Sequence, residues 1–83
     1  MVMHASDADL RWMSVALSAA REALDAGEVP VGAAAVRGDE LLATAANRTI
    51  RDADPTAHAE LLASRAAARV LGSWRLDECT VYV

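Results

Sequence analysis

The sequence predicts an α/β fold in which two helices pack on a three-stranded sheet. Three observations support this prediction: an apolar repeat near the N-terminus, two short apolar strands around a tight turn, and a second helical pattern that leads into a β-branched segment. The order is helix, hairpin, helix, strand, with one crossover through the second helix. With 83 residues and no Phe, the chain forms at most one small domain, whose core comes from Ala, Leu and Val.

The first helix is predicted over residues 7–26. Apolar residues recur at steps of three and four, namely Leu10, Met13, Leu17, Ala20 and Leu24. Gly27 follows at the position where a helix would end. We therefore expect this apolar stripe to face the sheet, with Trp12 beside it as a packing residue.

A hairpin follows the first helix. Residues 31–37 are small and apolar, residues 37–40 form a turn, and residues 41–46 return as the second strand. Gly32 within the first strand predicts a bulge or a close approach of another backbone.

A polar loop over residues 47–53 precedes the second helix. Asp54 is suited to the N-cap and Pro55 to the first helical position, and the helix is expected to run to Leu71 before Gly72. Residues 80–83 are predicted as a third strand. Because this strand has the composition of an interior strand, we expect the fold to be the N-terminal part of a larger domain with an exposed sheet edge.

The composition argues against several classes of function for this chain. The net charge is −4 and the pI is about 4.9, which argues against nucleic-acid binding through a basic face of this chain alone. The single cysteine, Cys79, excludes an internal disulfide and fits a reducing cytoplasm. The N-terminal residues show no basic region followed by an apolar segment, and no apolar run approaches 18 residues, so we expect neither secretion nor a membrane span.

The residues that could carry chemistry lie in the run Asp-Pro-Thr-Ala-His-Ala-Glu over residues 54–60. His58 is a possible zinc ligand, and Glu60 is a candidate general base and acid for a metal-bound water. Two residues apart in a helix, the two side chains would diverge, so we expect them to converge only at a helix start. The alternatives are a capping or partly buried histidine and a first-turn glutamate favoured by the helix dipole.

Two further residues have both a functional and a structural interpretation. Asn47, between a strand and a polar loop, has an amide that can read a base or a ribose, or can simply form a turn. Cys79 is most simply a small buried side chain at a strand start. A single cysteine there does not replace a Cys-x-x-Cys pair of zinc ligands.

Four segments, residues 28–33, 47–48, 54–60 and 77–83, together resemble the cytidine and deoxycytidylate deaminase superfamily. Within it they are most similar to the bacterial tRNA-specific adenosine deaminase family, which makes inosine at the anticodon wobble position. The resemblance implies a cytidine-deaminase-like three-layer α/β/α fold, one Zn²⁺ per complete site, the tRNA anticodon arm as substrate and a homodimer. It also implies that His58 ligates zinc, Glu60 shuttles protons, Asn47 contacts the target nucleoside and the backbone of Ala59 lines the base pocket. The implied pocket wall consists of Glu28, Val29, Pro30 and Val31.

The sequence departs from the family after Val83, where the family continues into the Pro-Cys-x-x-Cys motif. We therefore predict that residues 1–83 are the N-terminal part of a single deaminase domain, inactive alone and without tight zinc binding. One alternative is a deaminase of a free base or nucleoside, such as guanine, which shares the 54–60 run. Residues 28–32 and 47–48 favour the tRNA enzyme. The second alternative is a non-catalytic fragment or assembly half.

Overall fold

The computed structural model describes residues 6–83. It contains the five predicted elements in the predicted order: α1 (Asp7–Asp25), β1 (Gly32–Arg37), β2 (Glu40–Ala46), α2 (Ala59–Leu71) and β3 (Cys79–Tyr82). The α/β class is confirmed, and the strand bounds differ from the predicted ones by at most one residue at either end.

The sheet has the strand order β2-β1-β3, and β1 runs antiparallel to both neighbours. Strands β2 and β3 therefore run parallel to each other on either side of β1, and α2 is the predicted crossover between them. A bulge interrupts the pairing of β1 with β2 between Ala35 and Val36. The bulge considered at Gly32 is thus absent from that position.

The two helices cover opposite faces of the sheet. Side chains alternate along β1, so that Ala33 and Ala35 pack against α2, whereas Gly32 lies against α1. The α2 side of the core consists of Ala33, Ala35, Leu42, Ala59, Ala63 and Ala67. The result is three layers, as the resemblance implies.

The buried face of α1 differs from the predicted stripe. Leu10, Leu17 and Leu24 are 60%, 55% and 58% exposed, and the buried residues are instead Trp12, Ala16, Ala19 and Ala23. The reason is the close approach of the helix to β1: a Cβ on Gly32 would collide with the carbonyl oxygen of Ala16 and the amide nitrogen of Ala20. Leucine side chains do not fit between backbones this close, so the helix presents its small residues. Trp12, expected as a packing residue, is buried as predicted.

The outer side of α1 therefore carries an apolar surface formed by Leu10, Leu17 and Leu24. Beside it lies an apolar cavity of about 270 Å³, which α1, the start of β1 and Val83 enclose. Among residues 6–83, β3 pairs only with β1, which leaves its other edge open. Within the same residues, no helix is both long and apolar enough to cross a membrane.

We predict that Gly32→Ala destabilises the fold by about 3 kcal/mol or more, because the clashing atoms belong to the α1 backbone and cannot rotate away. Gly38→Ala is the matched control: its Cβ meets nothing within 4 Å, so only its positive φ costs energy, about 1–2 kcal/mol. Urea unfolding followed by circular dichroism compares the two variants. Equal losses of stability would contradict the close approach.

We also predict that the isolated chain self-associates through the apolar surface of α1 and the open edge of β3. Leu17→Lys should lower the apparent mass in sedimentation velocity without lowering the melting temperature, because Leu17 is already exposed. Leu61→Lys, at an exposed leucine on the opposite helix, serves as the control. A wild-type chain that remains monomeric up to millimolar concentration would refute this prediction.

Candidate active site at the start of α2

His58 is the N-cap residue of α2, which begins at Ala59 rather than near Pro55. The predicted N-cap, Asp54, is therefore wrong by four residues. His58 has extended backbone angles (φ −81°, ψ 145°), and its side chain makes no capping hydrogen bond. Its carbonyl oxygen accepts the N–H of Leu62 at 3.0 Å, which starts the helix. The exposed imidazole remains available for a ligand.

Asp54 closes a turn instead of starting the helix. Its Oδ1 accepts from the backbone N–H of Thr56 at 2.8 Å and from the Thr56 hydroxyl at 2.7 Å. The same two hydrogen bonds, the hydroxyl first, hold the pKa of Asp54 below its usual value. The N–H of His58 donates to the carbonyl of Thr56 at 2.8 Å, so this turn sets the chain direction immediately before His58.

Glu60 lies in the first turn of α2 and is partly buried. A carboxylate is favoured there by the unpaired N–H groups and the dipole of the helix. Because His58 lies before the helix, the helical rotation that would separate the two side chains does not apply to it. Both residues belong to the N-terminal end of α2, as the motif interpretation requires.

Asn47 is 2% exposed and follows β2 directly. Its backbone N–H donates to the carbonyl of Val31 at 3.0 Å, and its Nδ2 donates to Oγ1 of Thr49 at 3.1 Å. Its Oδ1 is buried and has no hydrogen-bond partner within residues 6–83. A buried amide oxygen without a partner is costly, which favours a role in accepting a hydrogen bond from a ligand.

Glu28 is buried against the loop that follows Asn47. Its Oε2 accepts from the N–H of Ile50 at 3.1 Å and its Oε1 from the N–H of Arg51 at 2.6 Å. The Arg51 guanidinium lies 3.4 Å from Oε1. Burial by itself would raise the pKa of Glu28, but the Arg51 and Ile50 amides and the guanidinium outweigh burial and hold that pKa below its usual value. The sequence interpretation missed these contacts because no local pattern signals a pair so far apart along the chain.

The structure brings several of the predicted site residues to one end of the sheet. The backbone N–H of Asn47 donates to the carbonyl of Val31, which joins the end of β2 to the start of β1. The N–H of Arg48 donates to the carbonyl of Ala57 at 2.9 Å, which joins the Asn47 loop to the segment before His58. Ala59 is fully buried behind His58. The start of β1, the end of β2 and the start of α2 therefore meet here.

The residues of the predicted pocket wall do not lie together around one cavity. Val29 is 55% exposed, and Pro30 lines the apolar cavity on the α1 side of the sheet together with Val31. A second cavity of about 410 Å³ lies at the β2 edge, beside Arg48, Arg51 and Glu22. Neither of these cavities includes His58 or Glu60 among its lining residues. The pocket-wall role of Glu28, Val29, Pro30 and Val31 therefore stays a prediction.

The residues present do not fit a complete zinc site. Residues 6–83 contain no group of three His, Cys, Asp or Glu residues that could hold a metal ion. Cys79 pairs with Arg37 at the far end of β1, whereas His58 lies near the end where β1 begins. A catalytic zinc takes three protein ligands and a water, so His58, the predicted ligand, would have to be joined by others.

Comparison with known proteins places these features in a family. Residues 6–83 match the family model for the cytidine and deoxycytidylate deaminase zinc-binding region. The chain is 42% identical over 78 residues to the tRNA-specific adenosine deaminase of Buchnera aphidicola subsp. Schizaphis graminum (strain Sg), an alignment that covers 94% of this chain and 52% of that protein. The chain thus spans about half the length of the curated relatives it matches.

Two solved structures share the fold. One comes from a study of A-to-I editing by tRNA:A34 deaminases at the wobble position of transfer RNA; it is 40% identical with a TM-score of 0.85, over 88% of this chain and 53% of that chain. The other, guanine deaminase from Bacillus subtilis, is 38% identical with a TM-score of 0.83, over 88% of this chain and 47% of that chain. The fold implied by the resemblance is therefore confirmed.

We predict that the isolated chain binds zinc more weakly than micromolar, because within residues 6–83 no three potential ligands lie together and a tight site needs three or four. Isothermal titration with ZnCl₂ measures the affinity. His58→Ala should remove the residual binding that belongs to this site, and His4→Ala, which changes the other histidine of the chain, should leave it unchanged. Sub-micromolar binding at one site per chain would refute the prediction.

Proposed function

The chain belongs to the cytidine and deoxycytidylate deaminase family, and from this membership we propose that it forms the histidine and glutamate half of a tRNA adenosine deaminase site. The reaction is hydrolytic deamination of adenosine to inosine at the anticodon wobble position. The observation that supports it is the exposed imidazole of His58 at the N-terminal end of α2, which also carries Glu60 and is joined to the Asn47 loop by the hydrogen bond from Arg48 to Ala57. Within residues 6–83, Oδ1 of Asn47 has no hydrogen-bond partner.

Each residue has a distinct proposed role. Asn47 accepts a hydrogen bond from the target nucleoside at Oδ1, and the main chain at Ala59 lines the base pocket. Glu60 takes a proton from the attacking water and returns it to the leaving nitrogen, so that the C6–N bond breaks, a C6–O bond forms and ammonia departs. His58 is the ligand that this chain contributes to zinc, which when bound makes water a better nucleophile near neutral pH.

The remaining parts of the site come from outside the described residues. We propose that a further segment supplies two thiolate ligands, and that the complete protein is a cytoplasmic homodimer. A chain with net charge −4 leaves most phosphate contacts of the anticodon arm to that segment or to the second subunit. The curated relatives are about twice as long as the part that this chain covers, which is consistent with such a segment.

Deamination of a free base is the second candidate. It is favoured by the similarity to guanine deaminase from Bacillus subtilis, which extends over 88% of this chain. The same His58 and Glu60 would serve in either enzyme. The two candidates differ in what the pocket accepts, an unpaired nucleotide within an RNA loop or a free purine.

The test uses a protein that contains this chain together with the segment that carries the two cysteine ligands. We expect inosine formation on an anticodon stem-loop and no turnover of free guanine. Glu60→Gln should lower kcat by about 10²–10⁴-fold with little change in KM, because the lost group moves protons and does not bind the base.

Glu40→Gln, the same change at an exposed glutamate at the opposite end of the sheet, is the control and should retain activity. Turnover of guanine without turnover of the stem-loop would replace the tRNA assignment by the free-base one. Turnover of neither would favour a non-catalytic role for the chain.

A further inference from the structure

We infer that Glu28 is a positioning residue, whose buried carboxylate holds residues 47–57 in the conformation that brings Asn47 and His58 to the same end of the sheet. The inference rests on the proposed function only for the roles of Asn47 and His58. The hydrogen bonds between Glu28 and the loop are contacts within the chain and do not depend on that function.

The first step is the geometry of the carboxylate. Its two oxygens accept two successive backbone N–H groups, those of Ile50 and Arg51, at 3.1 and 2.6 Å. Hydrogen bonds to an ionised carboxylate are shorter and stronger than neutral ones. The Glu28 side chain has 0% exposure, so water does not compete for either oxygen. Both oxygens are already engaged by the loop, which favours a positioning role for Glu28 over direct contact with a substrate.

The second step is the anchor of Glu28 itself. Helix α1 ends in a Schellman motif: Gly27 has a φ of 80°, and its N–H bonds to Leu24 at 3.0 Å, while the N–H of Glu28 bonds to Ala23 at 2.8 Å. Ala23 is fully buried. The carboxylate is therefore attached at a fixed point at the end of a packed helix, and the loop is held to that helix.

The third step is transmission to the site. The Arg51 guanidinium, paired with Glu28, donates from Nη2 to the carbonyl oxygen of Asn47 at 3.3 Å. The N–H of Arg48 reaches the carbonyl of Ala57, the residue before His58, at 2.9 Å. Fixing residues 50 and 51 therefore fixes the chain on both sides, toward Asn47 and toward His58.

The test compares Glu28→Gln with the wild-type chain by ¹⁵N NMR and amide hydrogen exchange. A glutamine has a single carbonyl oxygen, so it can keep only one of the two backbone hydrogen bonds. We expect amide exchange at Ile50 or Arg51 to rise by about tenfold or more, and the Asn47 side-chain and His58 amide resonances to move. Resonances of α2 beyond its first turn should stay in place.

Glu40→Gln is the matched control, since it makes the same change at an exposed position at the opposite end of the sheet, where Glu40 pairs with Arg37. It should leave all of these signals unchanged. Glu28→Gln could raise amide exchange at Ile50 and Arg51 while Asn47 and His58 keep their wild-type chemical shifts. In that case Glu28 does not position the site residues, and the inference is wrong.

If the Glu28→Gln variant does not fold, an acid titration of the wild-type chain tests the same inference. The charged groups that face Glu28 are Arg51 and Arg48, and neither loses its proton in this range. The chemical shifts of the Arg51 amide and the Asn47 side chain should change with pH in parallel with that of the Glu28 carboxyl carbon, with one shared midpoint. Independent midpoints would overturn the inference. No substrate is involved, so absence of deaminase activity would count against the proposed function alone.

Discussion

The close contact between α1 and β1 is the constraint on which the rest of the fold depends. Gly32 lies so near Ala16 and Ala20 that no side chain fits between them, and most of the buried apolar residues are alanine. Such a core holds the layers together by close packing more than by buried area. It also explains why large apolar side chains of α1, such as Leu17, lie on the outer surface: the inner side has no space for them.

Strand pairing determines where the candidate site lies. Because β1 and β2 are antiparallel, the start of β1 lies beside the end of β2, and the hydrogen bond from Arg48 to Ala57 brings the start of α2 to the same end of the sheet. Asn47 and His58 both lie on the loop of residues 47–58. Loops alone position side chains poorly, but this one is bonded to Glu28 and thus to the end of a packed helix. Cys79, at the opposite end, belongs to the sheet and not to the site.

The start of α2 shows what the neighbouring residues alone can and cannot predict about where a helix begins. Asp54 followed by Pro55 is favoured at a helix start and also in a turn, and nothing in the adjacent residues separates the two. The turn prevails because Asp54 bonds to Thr56 and the bond from Arg48 to Ala57 holds the chain extended. His58 therefore becomes the N-cap. The motif does lie at a helix start, as predicted, although the helix begins four residues later than its local signals indicate.

The sequence by itself determined the order and type of the elements, the strand bounds to within a residue and the motif that contains His58 and Glu60. These features depend on periodicity and turn chemistry, which act between near neighbours. Only the tertiary structure decided which face of α1 is buried and what Glu28 binds. A helical repeat sets the spacing of a stripe but not the space available opposite it, and Glu28 meets Ile50 and Arg51 only because two distant segments pack together. Contacts of that kind leave no local pattern in the chain.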